Sequence, residues 1–339
     1  MTADILSWVL LLAIAAYACG GGVDYGAGFW DLLAGGAERG RRPRWLIDHA
    51  MAPVWEVNNV WLVFVLVLTW TGFPEFFQTV FTALWLPLAL AAVGMVLRGA
   101  GFALRKPARL LAARRVYGAT FAVASLLAPF FLGTVVGSVA SGRVSPGTTA
   151  SADAWANATS VTAGLLAVCA TAVLGAVFLT ADARRFGAHD LVGHFRVRAR
   201  IAVGALLVVG AVGLVVTADD ASYVHHGLTH GWGLLLVLLS AAAGAVTVVL
   251  VGGPAPGRAR YSAVAAVALA VAAWGVAQRP YLVPTSLTVR QAVGASATLQ
   301  WMLVVSLVAL LLIGPAVTVL YRLDTRGVLE PLTDEDVAG

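Results

Sequence analysis

Apolar runs of about twenty residues recur along the whole chain, and they constrain its fold more than any other feature. A helix of about 20 apolar residues is long enough to cross the hydrocarbon core of a bilayer. Only 12% of the residues are charged, whereas a soluble globular domain has about 25%. Because the runs are continuous and lack the alternation of outer-membrane strands, they predict helices. The sequence therefore predicts an all-α, polytopic membrane protein.

The basic residues predict how these helices are oriented. All but three of the 22 lysines and arginines lie in alternate connections between the runs, and the exceptions are Arg143, Arg279 and Arg290. Basic residues mark cytoplasmic loops, so we predict about nine transmembrane helices with the N-terminus outside and the C-terminus in the cytoplasm. The predicted spans are 5–23, 55–73, 76–97, 116–140, 158–180, 201–218, 231–251, 261–279 and 297–321.

No connection is long enough to separate two domains. We therefore predict a single transmembrane helical domain over 1–322, followed by a mobile cytoplasmic tail over 323–339. Within this domain, Gly133 and Gly137 have the spacing of closely packed membrane helices. Small residues are frequent throughout the chain, so we interpret this pair as ordinary packing and not as a specific dimer motif.

Histidine is the commonest axial ligand of haem, and none of the six histidines lies inside the core of a predicted span. The chain is therefore expected to bind neither a haem nor a metal ion by itself. The two cysteines lie in separate apolar runs, which argues against a cysteine metal site. A surface metal site in one outer connection is the alternative, but we favour a solvated loop there. The side chains concerned are Asp219, Asp220, His225, His226 and His230.

A polar segment at the mouth of the second predicted span is the strongest candidate for a functional site. It reads Pro53-Val54-Trp55-Glu56-Val57-Asn58-Asn59-Val60-Trp61. Carboxylates in a membrane are costly and often mark proton or ion routes. Glu56 and Asn59 are three residues apart and share a helix face, while Asp24 ends the first span on the same side. These residues, with Asn58, predict a proton path. A helix cap at Glu56 and an arginine partner for Asp24 are the alternatives.

Three further side chains near the membrane ends are candidates for structural contacts or for contacts to a quinone or lipid. Trp55 and Trp61 fit the aromatic belt at a membrane interface. Arg98 closes the third predicted span. An arginine at a span end commonly anchors the helix in the interface, and this anchor is the default interpretation of Arg98.

These segments, in this order and spacing, resemble a known family. Gly22–Gly28 reads Gly-Val-Asp-Tyr-Gly-Ala-Gly, which is similar to the pattern Gly-Phe-Asp-Leu/Met-Gly-x-Gly. Pro53–Trp61 is similar to Pro-x-Trp-Asp-Gly-Asn-Glu/Gln-Val-Trp. Both patterns occur in subunit II of the cytochrome bd quinol oxidases. The resemblance is strong over 20–102 and moderate over 281–322.

This sequence departs from the family pattern in the second segment. Glu56 stands where the family has Asp, so the carboxylate is kept and one methylene is added. Val57 replaces a glycine, and Asn59 replaces Glu or Gln. The family's carboxylate position therefore falls on Glu56, which the resemblance implies to be the entrance of a proton path from the cytoplasm.

The resemblance also implies the setting in which the chain works. It implies the accessory subunit of a quinol:oxygen oxidoreductase in the bacterial cytoplasmic membrane, not catalytic alone. The partner, subunit I, is expected to carry haems b and d and the quinol and oxygen sites. A small single-helix subunit and a bound quinone or lipid are further candidates for partners. No nucleic acid is expected.

Two other classes of protein remain open at this point. A proton- or ion-coupled secondary transporter would place its carboxylates near the midplane, in broken helices, whereas these carboxylates are predicted near the inner ends of their spans. A purely structural assembly subunit would use the same polar residues only as a scaffold. Co-purification with a haem protein and the substitution Glu56→Gln distinguish these classes.

Overall fold

The protein is helical almost throughout, which confirms the predicted all-α class. The computed structural model describes residues 1–36, 38–51, 58–105, 107 and 110–325. The helices are α1 (Thr2–Leu32), α2 (Arg41–Met51), α3 (Asn59–Val67), α4 (Pro74–Ala83), α5 (Trp85–Arg105), α6 (Leu111–Ala140), α7 (Ala152–Trp155), α8 (Ala158–Arg185), α9 (His189–Asp220), α10 (Ser222–Thr229), α11 (Gly231–Gly252), α12 (Ala259–Ala277) and α13 (Ser296–Thr325). A π-helical turn follows α3 at Leu68–Gly72, and a short 3-10 turn precedes α12 at Pro256–Arg258. Two short strands, β1 (Tyr281–Val283) and β2 (Leu287–Thr288), form an antiparallel hairpin between α12 and α13.

Eight helices of the described chain are long and apolar enough to cross a membrane, and there are nine spans if one bent helix pair counts as a single span. This agrees with the predicted number of about nine. The orientation of the termini stays a prediction. The last helix, α13, continues to Thr325, while the single domain over 1–322 and the mobile tail over 323–339 stay predictions. The rest of that tail lies outside the described residues.

The third predicted span has the wrong bounds, and a sharp turn separates it from the second, whose first residues lie outside the described part of the chain. The axes of Asn59–Gly72 and α4 differ by 113°. Phe73, at the corner, has left the helical region with φ −130° and ψ 61°, and Pro74 begins the next helix. Proline is favoured at the first helical position, where its missing N–H costs nothing. A second break at Leu84, with φ −116° and ψ 26°, divides the predicted span 76–97 between α4 and α5.

The first helix is longer than predicted, and its glycines are the contact points with its neighbours. α1 ends at Leu32, so Asp24 lies inside a helix and not at its end. A Cβ atom at Gly26 would overlap the backbone oxygen of Thr171 and would come within 2.7 Å of the Gly175 nitrogen, both on α8. Glycine costs about 1 kcal/mol relative to alanine in a helix, but it permits this close approach of two backbones.

The pair Gly133 and Gly137 is used inside the chain, as predicted for ordinary packing. A Cβ at Gly133 would lie 2.6 Å from the backbone oxygen of Ala163, and one at Gly137 would lie 2.6 Å from the Cα of Ser160. Both contacts are between α6 and α8. The motif therefore holds two neighbouring helices of this chain together.

The buried apolar side chains form two large clusters, one around each half of α1. One contains Trp30, Phe121 and Leu174, and surrounds the C-terminal half of α1 together with residues of α9, α11 and α12. The other contains Leu6 and Phe73, and surrounds the N-terminal half of α1. Asp24 lies beside the first cluster, since Cys19 and Ala27 on either side of it in α1 belong to that cluster.

Candidate functional site

Three of the predicted site residues, Asp24, Asn58 and Arg98, come together in a buried polar cluster. Each is 5% exposed. The Nδ2 of Asn58 donates a hydrogen bond of 2.7 Å to Oδ2 of Asp24. The guanidinium of Arg98 lies close enough to interact electrostatically with the same carboxyl. We call this group the Asp24 cluster. The cluster joins three helices that are separated in the sequence. Asp24 lies in α1, Asn58 directly precedes α3, and Arg98 lies in α5.

Asn58 occupies the N-cap position of α3, but its side chain does not cap the helix. An N-cap asparagine usually accepts a hydrogen bond from a backbone N–H of the first turn. Here the amide is turned towards α1 instead, and Gly20 provides the space. A Cβ at Gly20 would lie 2.6 Å from Oδ1 of Asn58. The contact between Asn58 and Asp24 therefore depends on a glycine one helical turn before the carboxyl.

Arg98 is not the interfacial anchor that its position in the sequence indicated, since it is buried and α5 continues to Arg105. Its Cζ lies 4.8 Å from the centre of the Tyr25 ring and 5.5 Å from that of Phe121. Such cation–π contacts contribute about 2 kcal/mol when desolvated. Within the described residues, however, its Nε and Nη2 are buried and make no hydrogen bond. A charged group in this state has unused capacity to bind an anion or a polar molecule.

The other predicted residues do not join this cluster. Asn59, the first residue of α3, is exposed, so the two neighbouring amides point to different surroundings. Trp61 is half-buried and packs edge-to-face on Phe64, with ring centres 6.5 Å apart. Glu56 and Trp55 lie outside the described residues. The structure thus unites Asp24 with Asn58 and separates both from Asn59.

Two tyrosines beside the Asp24 cluster were missed in the sequence. The hydroxyl groups of Tyr17 and Tyr25 are 3.0 Å apart. Tyr25 directly follows Asp24 inside the glycine-rich segment, and this position was the only available signal. Nothing in the spacing of Tyr17 and Tyr25 indicates contact, because eight residues span about 12 Å of helix.

A second buried carboxylate, Asp31, was also missed, and it has a different environment. It accepts hydrogen bonds of 2.7 Å from Nε of Arg44 and from Nη1 of Arg105. Its side chain is 3% exposed. Arg105 also lies 3.6 Å from Asp48. These arginines were interpreted only as markers of the cytoplasmic side, whereas the structure uses them to tie α2 and α5 to the C-terminal end of α1.

His225, His226 and His230 lie on or directly after α10 and not in a loop. The rings of His226 and His230 stack with centres 4.2 Å apart. Asp220 pairs with Arg143 and accepts a hydrogen bond from the backbone of Thr159. Throughout the described chain, no group of three or more His, Cys, Asp or Glu side chains is placed to hold a metal ion.

Comparison with known proteins identifies the relatives of this fold. A solved structure described as that of bd oxidase from Geobacillus thermodenitrificans matches with a TM-score of 0.80 and 24% identity, over 95% of this chain and 98% of that chain. This likeness shows that the fold is shared. Cytochrome bd ubiquinol oxidase subunit 2 of Bacillus subtilis (strain 168) is 25% identical over 130 residues. That match covers 38% of this chain and 38% of the relative, so it spans well under half of either protein.

The family model for cytochrome bd terminal oxidase subunit II matches residues 2–324. This range contains every candidate span found among the described residues, from Thr2–Leu32 to Ser296–Leu320. The chain is therefore a multi-pass membrane protein, and the resemblance seen in its two polar segments is confirmed. Because the match covers nearly the whole sequence, the chain belongs to the family of cytochrome bd terminal oxidase subunit II.

Proposed function

We propose that this chain is the accessory subunit of a bacterial quinol oxidase and that it admits protons from the cytoplasm through the Asp24 cluster. A partner subunit would carry haems b and d, oxidise quinol and reduce oxygen to water in the cytoplasmic membrane. This chain would stabilise that partner and would not be catalytic alone. Its family membership and the shared fold support the assignment.

The contrast between two buried aspartates carries the proton proposal. Asp31 has two arginines at 2.7 Å, so its charge is paired directly, whereas Arg98 acts on Asp24 only at longer range. Within the described chain, Asp24 has no direct ion pair, and its one hydrogen bond comes from the neutral amide of Asn58. A carboxyl that is held by a neutral donor can gain or lose a proton without breaking an ion pair. Buried carboxyls of this kind in membranes often mark proton routes.

The neighbouring residues extend the proposal towards the cytoplasm. Glu56 precedes Asn58 by two residues, and Asn58 contacts Asp24 directly. We therefore place Glu56 at the entrance of the path. The exposed amide of Asn59 would order water beside it. Trp55 and Trp61 would contact the partner, a lipid or a quinone, while the unused nitrogens of Arg98 would bind a polar molecule. A small single-helix subunit would be a further partner.

Purification of the chain from its native membrane tests the assignment. We expect a haem-bearing protein to co-purify with it, and the visible spectrum of the complex to show b- and d-type haem. The complex should oxidise quinol with consumption of oxygen. A haem-free chain that moves a solute into vesicles would contradict the assignment and would favour a secondary transporter.

Asp24→Asn in the assembled oxidase should lower turnover about tenfold, less than a positioned general acid or base contributes to a chemical step. The new amide keeps an oxygen that can accept the hydrogen bond from Asn58, but it cannot carry a proton. Oxygen consumption and proton uptake are measured together, with haem content as the check on assembly. Asp190→Asn is the control, because the pair of Asp190 with Arg42 is exposed. Unchanged turnover in a haem-loaded Asp24→Asn variant would remove Asp24 from the path.

Glu56→Gln should lower proton-coupled turnover by a similar factor of about ten. Glu56→Asp provides the matched control, since it keeps the carboxylate and restores the residue of the family pattern. We expect Glu56→Asp to retain most of the activity. Equal activity of Glu56→Gln and Glu56→Asp, with intact haem content, would mean that Glu56 serves only as scaffold.

A further inference from the structure

Tyr17 and Tyr25 form a pair of phenols on one face of α1. Their side chains lean along the helix towards each other, so that their hydroxyl oxygens are 3.0 Å apart. Gly21 lies between them in the sequence and makes this arrangement possible. A Cβ at Gly21 would lie 3.1 Å from the Tyr17 ring. The second glycine of Gly20-Gly21-Gly22 therefore makes room for a tyrosine ring, as the first makes room for Asn58.

The phenol pair is continuous with the Asp24 cluster. Tyr25 follows Asp24 in the chain, is 5% exposed, and has the guanidinium of Arg98 4.8 Å from the centre of its ring. Both phenols lie within electrostatic range of Asp24 and Arg98. The pair thus lies beside the buried carboxyl, within its electrostatic range.

The far end of the pair lies partly at the surface of this chain. Tyr17 is the middle residue of α1, which runs from Thr2 to Leu32, and it is half-buried. It lies about 10 Å from Asp24 along the helix axis. A partner subunit that covers this part of α1 would contact the Tyr17 side chain.

We propose that Tyr25 and Tyr17 relay protons from the Asp24 cluster to the surface that this chain presents to its partner subunit. The proposal rests on the function proposed above and adds the direction in which the path continues. Hydroxyl groups suit this task, because each can accept one hydrogen bond while it donates another.

The transfer is balanced at each step. The Asp24 carboxyl releases its proton through a bridging water to the Tyr25 oxygen, and Tyr25 passes its own hydroxyl proton to the Tyr17 oxygen. Tyr17 then gives its hydroxyl proton to an oxygen or nitrogen base of the partner subunit. One O–H bond breaks for each bond that forms, both phenols are neutral before and after, and no electron moves.

The variants Tyr25→Phe and Tyr17→Phe test this relay in the assembled oxidase, because each removes one hydroxyl and keeps the ring. We expect each to lower oxygen turnover and proton uptake about fivefold, below the full contribution of a positioned proton donor. The double variant should be no slower than the slower single variant, because the two hydroxyls act in series. Tyr223→Phe is the matched control. Its hydroxyl also makes a hydrogen bond, 2.6 Å to the backbone oxygen of Arg279, but it lies far from the Asp24 cluster.

Haem content and thermal stability are measured for every variant. Turnover within about twofold of the unmodified enzyme in both Tyr→Phe variants would overturn the relay, since a positioned proton donor contributes far more than this. A loss of turnover that follows a loss of haem or of stability would also overturn it, in favour of a packing role. If Asp24→Asn slows the enzyme while both Tyr→Phe variants do not, the uptake site stands and the relay is wrong. If none of the three slows it, both proposals fail.

Discussion

Asp31→Ala should destabilise the protein by about 3 kcal/mol, because it leaves two largely buried arginines without their shared carboxylate. The side chains of Arg44 and Arg105 are 27% and 15% exposed, against 3% for Asp31. Without Asp31, Arg105 would keep only its longer contact of 3.6 Å with Asp48, and Arg44 would keep only hydrogen bonds to backbone oxygens. The loss falls where three helices meet, so we expect a large fall in the yield of intact, haem-loaded complex.

The measurement is thermal denaturation of the purified complex, followed by its haem spectrum and by the amount of folded chain. Asp190→Ala is the matched control. Asp190 pairs with Arg42 at 2.8 Å, but the two side chains are 57% and 42% exposed, and exposed pairs contribute about 1 kcal/mol or less. Equal effects of the two substitutions would show that the Asp31 network does not hold α1, α2 and α5 together.

Gly26→Ala is expected to cost about 3 kcal/mol, the upper end for overpacking in a tight core. The added methyl would overlap the Thr171 oxygen and would come within 2.8 Å of the Cα of Gly175. Both neighbours are backbone atoms, so no side-chain rotation can relieve the overlap. α1 and α8 would have to move apart, and this would displace Asp24 from Asn58.

Gly204→Ala provides the control, since it makes the same substitution inside a long helix where no neighbour is close. Gly204 lies in the long helix α9, and no atom lies within 4 Å of the position that a Cβ would take. The substitution should be neutral, or stabilising by up to about 1 kcal/mol, because alanine favours the helix. Thermal denaturation of the two variants is compared directly. Equal stability of both would contradict the close crossing of α1 and α8.

The fold could be predicted from the sequence to the extent that it depends on local properties. Apolar runs long enough for a bilayer are a local signal, so the helical class and the number of spans were correct. The bounds were less accurate because glycine-rich and polar residues can remain helical when neighbouring helices cover them. α1 therefore continues from residue 23 to Leu32. The sharp bend at Phe73 joins two short helices that, as sequence, look like parts of two separate spans.

The candidate site was predictable only in part, for the same reason. Asp24 and Asn58 stood out because polar groups are costly in an apolar chain. Their hydrogen bond depends on the position of α3 against α1, which no local pattern determines. Arg98 looked like an anchor at a helix end, yet α5 carries it to a buried position against Tyr25. Tyr17 could not be identified from the sequence, because its contact with Tyr25 depends on the directions of the two side chains and not on their spacing.

By itself, the sequence determined that the chain crosses a membrane many times and belongs with subunit II of the cytochrome bd oxidases. It also marked Asp24 and Asn58 as candidate functional residues, because polar groups are costly in an apolar chain. Only the tertiary structure decided which polar groups meet. It gave Asp31 two arginines, left Asp24 with a neutral amide, and joined Tyr25 to Tyr17. Hydropathy acts on each segment separately, whereas the charge state of a buried carboxyl depends on the few atoms that packing places around it.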